Sequence, residues 1–308
     1  MNRLSRCGVA LVPLMLLLGC GGGSDEGVET MPVAVVPSPA PAPAPTPTPT
    51  PTPSPAPTQT LPPVNATRWT PSVSDTWQWQ LSGAINTNYD VKVYDVDLVD
   101  VPQATITRLH AQGRRVVCYF SAGSSENFRP DFSSFLPADM GNPLEGWPGE
   151  RWLDIRSENV RGIMRRRMDL AVSKSCDGVE PDNVDGFANT NGLRLTAEDQ
   201  LGYNRFLAAE AHRRGLAVAL KNDLDQVAAL VGDFDFAVNE QCHEYAECNQ
   251  LRPFIAAGKP VFNAEYANRY QTNSGGARTT LCTTARTESF RTLVLPLDLN
   301  DTSRFSCD

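Results

Sequence analysis

The chain has 308 residues, with 35 acidic and 27 basic side chains and a formal net charge of −8. That balance disfavours a nucleic-acid surface and suits a cationic partner. No nucleic acid is therefore expected among its ligands.

In chain order, the first element is an export leader. MNRLSRCGVALVPLMLLLGC joins Arg3 and Arg6 to an apolar run too short for a comfortable membrane span. It ends in Leu17-Leu18-Gly19-Cys20, which resembles the bacterial lipoprotein signal. The resemblance implies a signal peptide over 1–19 and lipidation of Cys20. Gly21 leans towards an outer-membrane address in the bacterial cell envelope, and multiple acyl chains hold such a protein stably at a membrane. Residues 20–65 read as a linker, and 37–63 are almost all Pro, Ala and Thr. Such text cannot build an apolar core and favours an extended polyproline II chain. A disordered, semi-rigid spacer is expected.

Residues 66–308 have the composition of one globular domain, expected to act as a monomer. Eight β-rich runs recur: 76–82, 91–99, 114–123, 177–184, 216–223, 234–242, 260–266 and 291–297. Helix-like text lies between several of them. In 196–215, Thr196 and Asp199 make a capping signal, apolar residues follow at helical spacing, and Gly215 stops the run. Residues 160–173 and 224–230 also read as helical. Strands alternating with helices predict a parallel sheet, and eight of them in this length predict a (β/α)8 TIM barrel. A doubly wound open sheet is the alternative fold. No GxGxxG follows the first run, which weakens a dinucleotide site, and no cofactor is expected.

Cys7 leaves with the leader and Cys20 takes lipid. Six cysteines remain in an exported domain, which suggests disulfides. Proximity pairs Cys242 with Cys248 and Cys282 with Cys307, leaving Cys118 with Cys176. No tight CxxC pair exists, and His110, His212 and His243 are scattered, so no metal centre is expected. None of the histidines neighbours an obvious nucleophile, so a serine or cysteine triad has little support.

In nearly every run the apolar residues come first and the polar ones last. Asp95 and Asp97 close the second, Glu180 and Asp182 the fourth, Asn222 and Asp223 the fifth, Glu240 and Gln241 the sixth, and Glu265 and Tyr266 the seventh. In a barrel these C-terminal strand ends converge on the face that carries active sites. Strand alternation puts Glu180 and Asp182 on one face. Asp185 lies beyond the strand and reads as a cap or turn residue. Two opposed carboxylates are the usual machinery for splitting a glycosidic bond, one as acid and one as nucleophile or base. Tyr119, Trp147, Trp152 and Tyr266 are placed to stack on sugar faces, and the long segment 125–156 is expected to shape the cleft.

The motifs VYDVDLVD, CYFSAGSSENFRPD, GWPGERWLDIR, DGVEPDNVDGF, LKND and FAVNEQC, in this order, resemble glycoside hydrolase family 114, the endo-α-1,4-polygalactosaminidases. The resemblance runs from about Trp77 to Tyr266. It implies a (β/α)8 barrel that cleaves α-1,4-linked galactosamine polymers, with acids at the ends of the fourth and sixth strands. By that analogy Asp182 is the nucleophile and Glu240 the general acid/base of a retaining enzyme. Glu180 shares the parity of Asp182 and stands as its rival. Asp95, Asp97, Tyr119, Trp147, Lys221, Asn222 and Tyr266 are expected to bind substrate, a cationic polysaccharide. Two alternatives remain at this level: a non-catalytic polysaccharide-binding surface lipoprotein, and a glycosidase of another amino-sugar polymer.

Overall fold

A computed structural model describes residues 68–308; the leader, Cys20 and the whole of the 20–65 spacer lie outside the described residues. The strands in chain order are β1 (Trp77–Gln80), β2 (Val93–Asp97), β3 (Arg115–Ser121), β4 (Ser124–Glu126), β5 (Met140–Pro143), β6 (Glu150–Leu153), β7 (Gly178–Asp182), β8 (Ala217–Lys221), β9 (Phe236–Glu240), β10 (Val261–Glu265), β11 (Arg291–Val294) and β12 (Phe305–Ser306). Each of the eight expected runs contains one strand of the main sheet. That sheet runs β1-β2-β3-β7-β8-β9-β10-β11-β12, and every neighbouring pair is parallel except β11 with β12.

The helices lie between the strands: α1 (Gln103–Ala111), α2 (Glu158–Ser173), α3 (Ala197–Arg213), α4 (Val227–Leu230), α5 (Arg252–Ala256), α6 (Asn268–Gln271) and α7 (Ala277–Thr287). The capping box of α3 forms as its sequence requires. Thr196 Oγ1 accepts from Asp199 N at 3.1 Å, and Asp199 Oδ2 accepts from Thr196 N at 2.9 Å.

Strand alternation sorts the apolar residues into two layers. Trp77, Trp79, Val93, Val117, Ala219, Phe236, Val238 and Phe262 fill the inside of the curled sheet. Val96, Val116, Phe120, Val179, Val218 and Leu220 point outwards and pack against Ile106, Ile163, Met168, Tyr203 and Leu207 of the helices. Phe262 stacks on Trp77 at 5.0 Å between ring centroids, and truncating it to alanine would cost about 3–5 kcal/mol. The three expected disulfides, Cys118–Cys176, Cys242–Cys248 and Cys282–Cys307, are all formed.

The closed eight-strand barrel is not what the backbone makes. The sheet is curled and has nine strands, and among the described residues no ladder joins its first strand to its last. After β11 the chain doubles back, and β12 takes up the β11 edge that a closing strand would need. Isolated bonds bridge the seam instead, among them the Leu81 N–H to the Leu299 carbonyl at 3.0 Å. Trp77 Nε1 donates to the Arg291 carbonyl at 2.8 Å, and Arg304 donates to the Trp77 carbonyl at 2.9 Å. No helix lies between β1 and β2 or after β11.

The long segment after β3 is not an irregular loop. It holds a separate antiparallel sheet in the order β4-β6-β5. Its root is fixed by Gly123, where a Cβ would fall 1.7 Å from the Asn183 carbonyl oxygen, so only glycine fits.

Candidate active site

Inside the sheet, most strands carry apolar side chains at their start and polar ones at their end. Three of those ends turn sharply. Asn183, Asn222, Asp223 and Gln241, just past β7, β8 and β9, all have φ between 45° and 62°. This left-handed backbone is costly for most residues and is tolerated best by Asn and Asp. It breaks each strand directly after Asp182, Lys221 and Glu240.

These three side chains meet. Lys221 Nζ lies 2.9 Å from Asp182 Oδ1, 3.0 Å from Glu240 Oε2 and 3.5 Å from Glu180 Oε1. Its ammonium also sits 5.0 Å from the centre of the Trp79 ring. Burial alone would lower the lysine, but Asp182, Glu240 and Glu180 outweigh it and hold its pKa well above the ordinary value. Tyr119 donates its hydroxyl to Asp182 Oδ2 at 2.9 Å, and the Asn183 N–H donates to Oδ1 at 2.7 Å. Tyr266 donates to Glu240 Oε1 at 2.5 Å, and Asn222 Nδ2 reaches Oε2 at 3.3 Å. Burial raises both tyrosines well above their usual pKa, so they act as neutral donors.

Asp182 and Glu240 open into a cleft of about 260 Å³. Tyr119, Trp147, Lys221 and Asn222 line it, as expected of them, and so does Trp152. Glu180 does not. It is fully buried beneath the cleft floor beside Asp95, which is equally sealed off. Asp97, expected to bind substrate, is held elsewhere. Arg129 Nη1 donates to its Oδ1 at 3.0 Å and Arg129 Nη2 contacts its Oδ2, while the Val99 and Asp100 N–H groups cap Oδ1 at 2.8 Å. It is a turn anchor. Tyr266 reaches the site through Glu240 rather than by lining the cleft. Glu265 turns outwards and accepts the His243 N–H at 2.9 Å, which braces the loop after β9.

Beyond Asp182 and Glu240 the cleft is lined by Glu145, Glu150 and Asp185, none of which was expected in the site, and the last two are shifted in pKa. Glu150, at the start of β6, accepts from Ser124 Oγ at 2.7 Å and is pushed up to about 7, by burial first and then by the charges of Glu126 and Asp182. Asp185, read as a turn residue, also faces the cleft and is pushed up to about 6, again by burial and then by Asp182. Neither has a cation within ion-pair distance among the described residues. Cys242, His243 and Cys248 come within 4.8 Å of one another, but the two sulfurs are bonded together and leave no thiolate for a metal.

A pair of cleft carboxylates is the machinery that glycosidases use, and comparison with known proteins fixes the family. The family model described as Glycoside-hydrolase family GH114 matches residues 58–308. The chain belongs to this family. As a GH114 member it carries a glycoside-hydrolase domain. Among solved structures it is similar to Aspergillus fumigatus Ega3, crystallised in complex with galactosamine. The identity is 42%, the TM-score is 0.74, and the match covers 79% of this chain and 99% of Ega3. The glycoside hydrolase domain of PelA from Pseudomonas aeruginosa shares the fold at 16% identity, with a TM-score of 0.57 over 74% of this chain and 96% of that domain. An uncharacterized protein of Deinococcus radiodurans is 27% identical over 251 residues, 68% of this chain and 80% of that protein.

Proposed function

We propose that this GH114 domain hydrolyses internal α-1,4 linkages of a galactosamine-containing polysaccharide with retention, Asp182 acting as nucleophile and Glu240 as general acid/base. The observation that carries this reading is the shared Lys221 ammonium. Contacts of 2.9 and 3.0 Å to one nitrogen put the Asp182 and Glu240 oxygens less than about 6 Å apart, nearer the retaining than the inverting spacing. Glu240 gives its proton to the leaving oxygen while an Asp182 oxygen bonds to the anomeric carbon. Glu240 then takes a proton from water, and that water's oxygen displaces the Asp182 ester. Glu180 has no opening to the cleft, which favours Asp182 in the nucleophile's place.

The substrate class rests on the likeness to Ega3 and on charge. Glu150 and Asp185 offer two uncompensated carboxylates to a sugar ammonium, and Trp147 offers an exposed ring face. The curled sheet is read as a (β/α)8 barrel whose seam is closed by isolated side-chain and backbone bonds rather than a ladder, the catalytic face being the C-terminal strand ends. The leader, Cys20 and the spacer are read as a lipid anchor that holds the domain at the cell envelope, in the outer membrane. Among the described residues no helix is long and apolar enough to cross a membrane. Recovery of the Cys20→Ser protein in the membrane fraction would overturn the anchor.

The test of function is product analysis from α-1,4-galactosamine polymer with residues 66–308. Short oligosaccharides that first appear with the α configuration are expected. Asp182→Asn and Glu240→Gln should be folded and nearly inactive. Activity retained by Asp182→Asn removes the nucleophile assignment, and binding without cleavage moves the domain to a polysaccharide-binding role.

A further inference from the structure

We propose that Asp95 and Glu180 form a buried acid pair holding one proton, and that this pair sets the position of Lys221 between Asp182 and Glu240. The inference rests on the reading of Asp182 and Glu240 as the working carboxylates. Asp95 on β2 and Glu180 on β7 point into the sheet one inward position below Asp97 and Asp182, where both are sealed from solvent and each alters the other's affinity for a proton. Asp95 Oδ1 and both Glu180 oxygens have no hydrogen-bond partner. Two neighbouring buried carboxylates without donors are unfavourable as a pair of anions, and one proton held between them removes a charge and supplies the missing donor. Burial pushes Asp95 up to about 7 and Glu180 well above the usual carboxylate range, in keeping with that arrangement.

Other charged and titratable groups face the pair from the surrounding strands. They are Asp182 on β7, Lys221 on β8, Tyr119 on β3, and Glu240 and Tyr266 from β9 and the end of β10. Lys221 is the only cation among them, and its nitrogen is 3.5 Å from Glu180 Oε1, against 2.9 and 3.0 Å to the cleft carboxylates. With one proton on the pair, the ammonium stays high and bridges Asp182 and Glu240. Loss of that proton to solvent leaves two buried anions below the lysine. The ammonium is then drawn down to Glu180, and its contacts to the working pair lengthen. Asp95 and Glu180 never touch substrate; they are positioning residues, and they place the alkaline limit of the reaction beneath the site.

The experiment is the pH profile of kcat/KM on galactosamine polymer for the parent, Glu180→Gln and Asp95→Asn. Each amide supplies permanently the N–H donor that the shared proton supplies in the parent. The alkaline limb should move up by about one pH unit or more in either variant, while kcat/KM at the optimum falls less than about tenfold. A uniform fall at every pH with the limb unmoved would reduce the pair to packing. A folded but inactive Glu180→Gln protein would overturn the positioning role and make Glu180 a catalytic residue, whereas activity in Asp182→Asn would overturn the underlying assignment instead. Should neither variant fold, the infrared carbonyl band of protonated carboxyls in the parent still decides. It must disappear in step with the alkaline limb, and a band absent at the optimum refutes the shared proton.

Discussion

The two ends of β7 and β9 carry the same residue types in opposite circumstances. Asp177 and Asp235 stand immediately before these strands, and Asp182 and Glu240 close them. At the entry end every oxygen is matched. Asp177 meets Arg115 at 2.6 Å, His110 at 2.8 Å and the Val116 N–H at 2.8 Å. Asp235 meets Arg68 at 3.1 Å, His212 at 2.9 Å and the Val218 N–H at 2.9 Å. At the exit end Asp182, Glu240 and Glu180 share one lysine, and Glu150 and Asp185 have no cation within ion-pair distance among the described residues. Carboxylates neutralised within the fold hold it together. Carboxylates left in excess around a cleft are unfavourable until a cation enters, and a polymer of amino sugars is such a cation.

The sharpest way to break this contrast is at the exit end. Replacing Asp182 with Asn or Glu240 with Gln should lower kcat by about a thousandfold or more, read by product release from polymer. Neither change removes a contact on which the sheet depends, so the melting temperature should hold or rise. A large loss of stability in either variant would mean that the exit carboxylates are structural after all. Lys221→Met probes the one cation. It strands three carboxylates around a side chain only 2% exposed, and should destabilise the domain by about 3 kcal/mol at alkaline pH. The loss should shrink at acidic pH, where the stranded groups take up protons. Equal losses at both pH values in denaturant titrations would show that the ammonium is not balancing those charges.

A milder test needs no mutation. Burial and neighbouring acids raise Asp185 to about 6, Glu150 to about 7 and Asp223 to about 8 in the folded chain. A raised carboxyl binds more protons folded than unfolded, so its contribution is fully present below the unfolded pKa near 4 and fades as pH rises to the folded value. The melting temperature should therefore fall steadily between about pH 5 and 8. A galactosamine oligomer should flatten that slope by neutralising the cleft. A flat profile without ligand would place the cleft acids in a better-balanced setting than their neighbours suggest.

The contrast also explains what the sequence could reveal. Short β-rich runs gave away all eight parallel strands, and the polar residues that close most of them gave away the convergence of Asp182, Lys221 and Glu240, because period-two alternation fixes which face a side chain takes. Alternation says nothing of depth. Glu180 and Asp182 have identical parity, yet one is sealed beneath the floor and the other opens to the cleft. Asp97 has the right parity too, but Arg129, a loop residue 32 positions away, claims it. Glu150 lies on a strand of the small antiparallel sheet and Asp185 on a turn, outside any run whose periodicity could place them. The open seam was hidden for a similar reason, since only the return path of the last residues puts β12 where a closing strand would go.

The smallest effect belongs to the entry end. Asp177→Ala removes the acceptor shared by Arg115, His110 and the Val116 N–H, but Arg115 is 44% exposed and keeps its solvent. Screening therefore limits the loss to about 1–2 kcal/mol, and kcat should not change. Combined with Asp182→Asn, the stability effects should add within about 0.5 kcal/mol, because the two carboxylates share no partner. Marked non-additivity in that double variant would mean that charge at one end of β7 is felt at the other. The division of one strand into an anchoring end and a reactive end would then no longer hold.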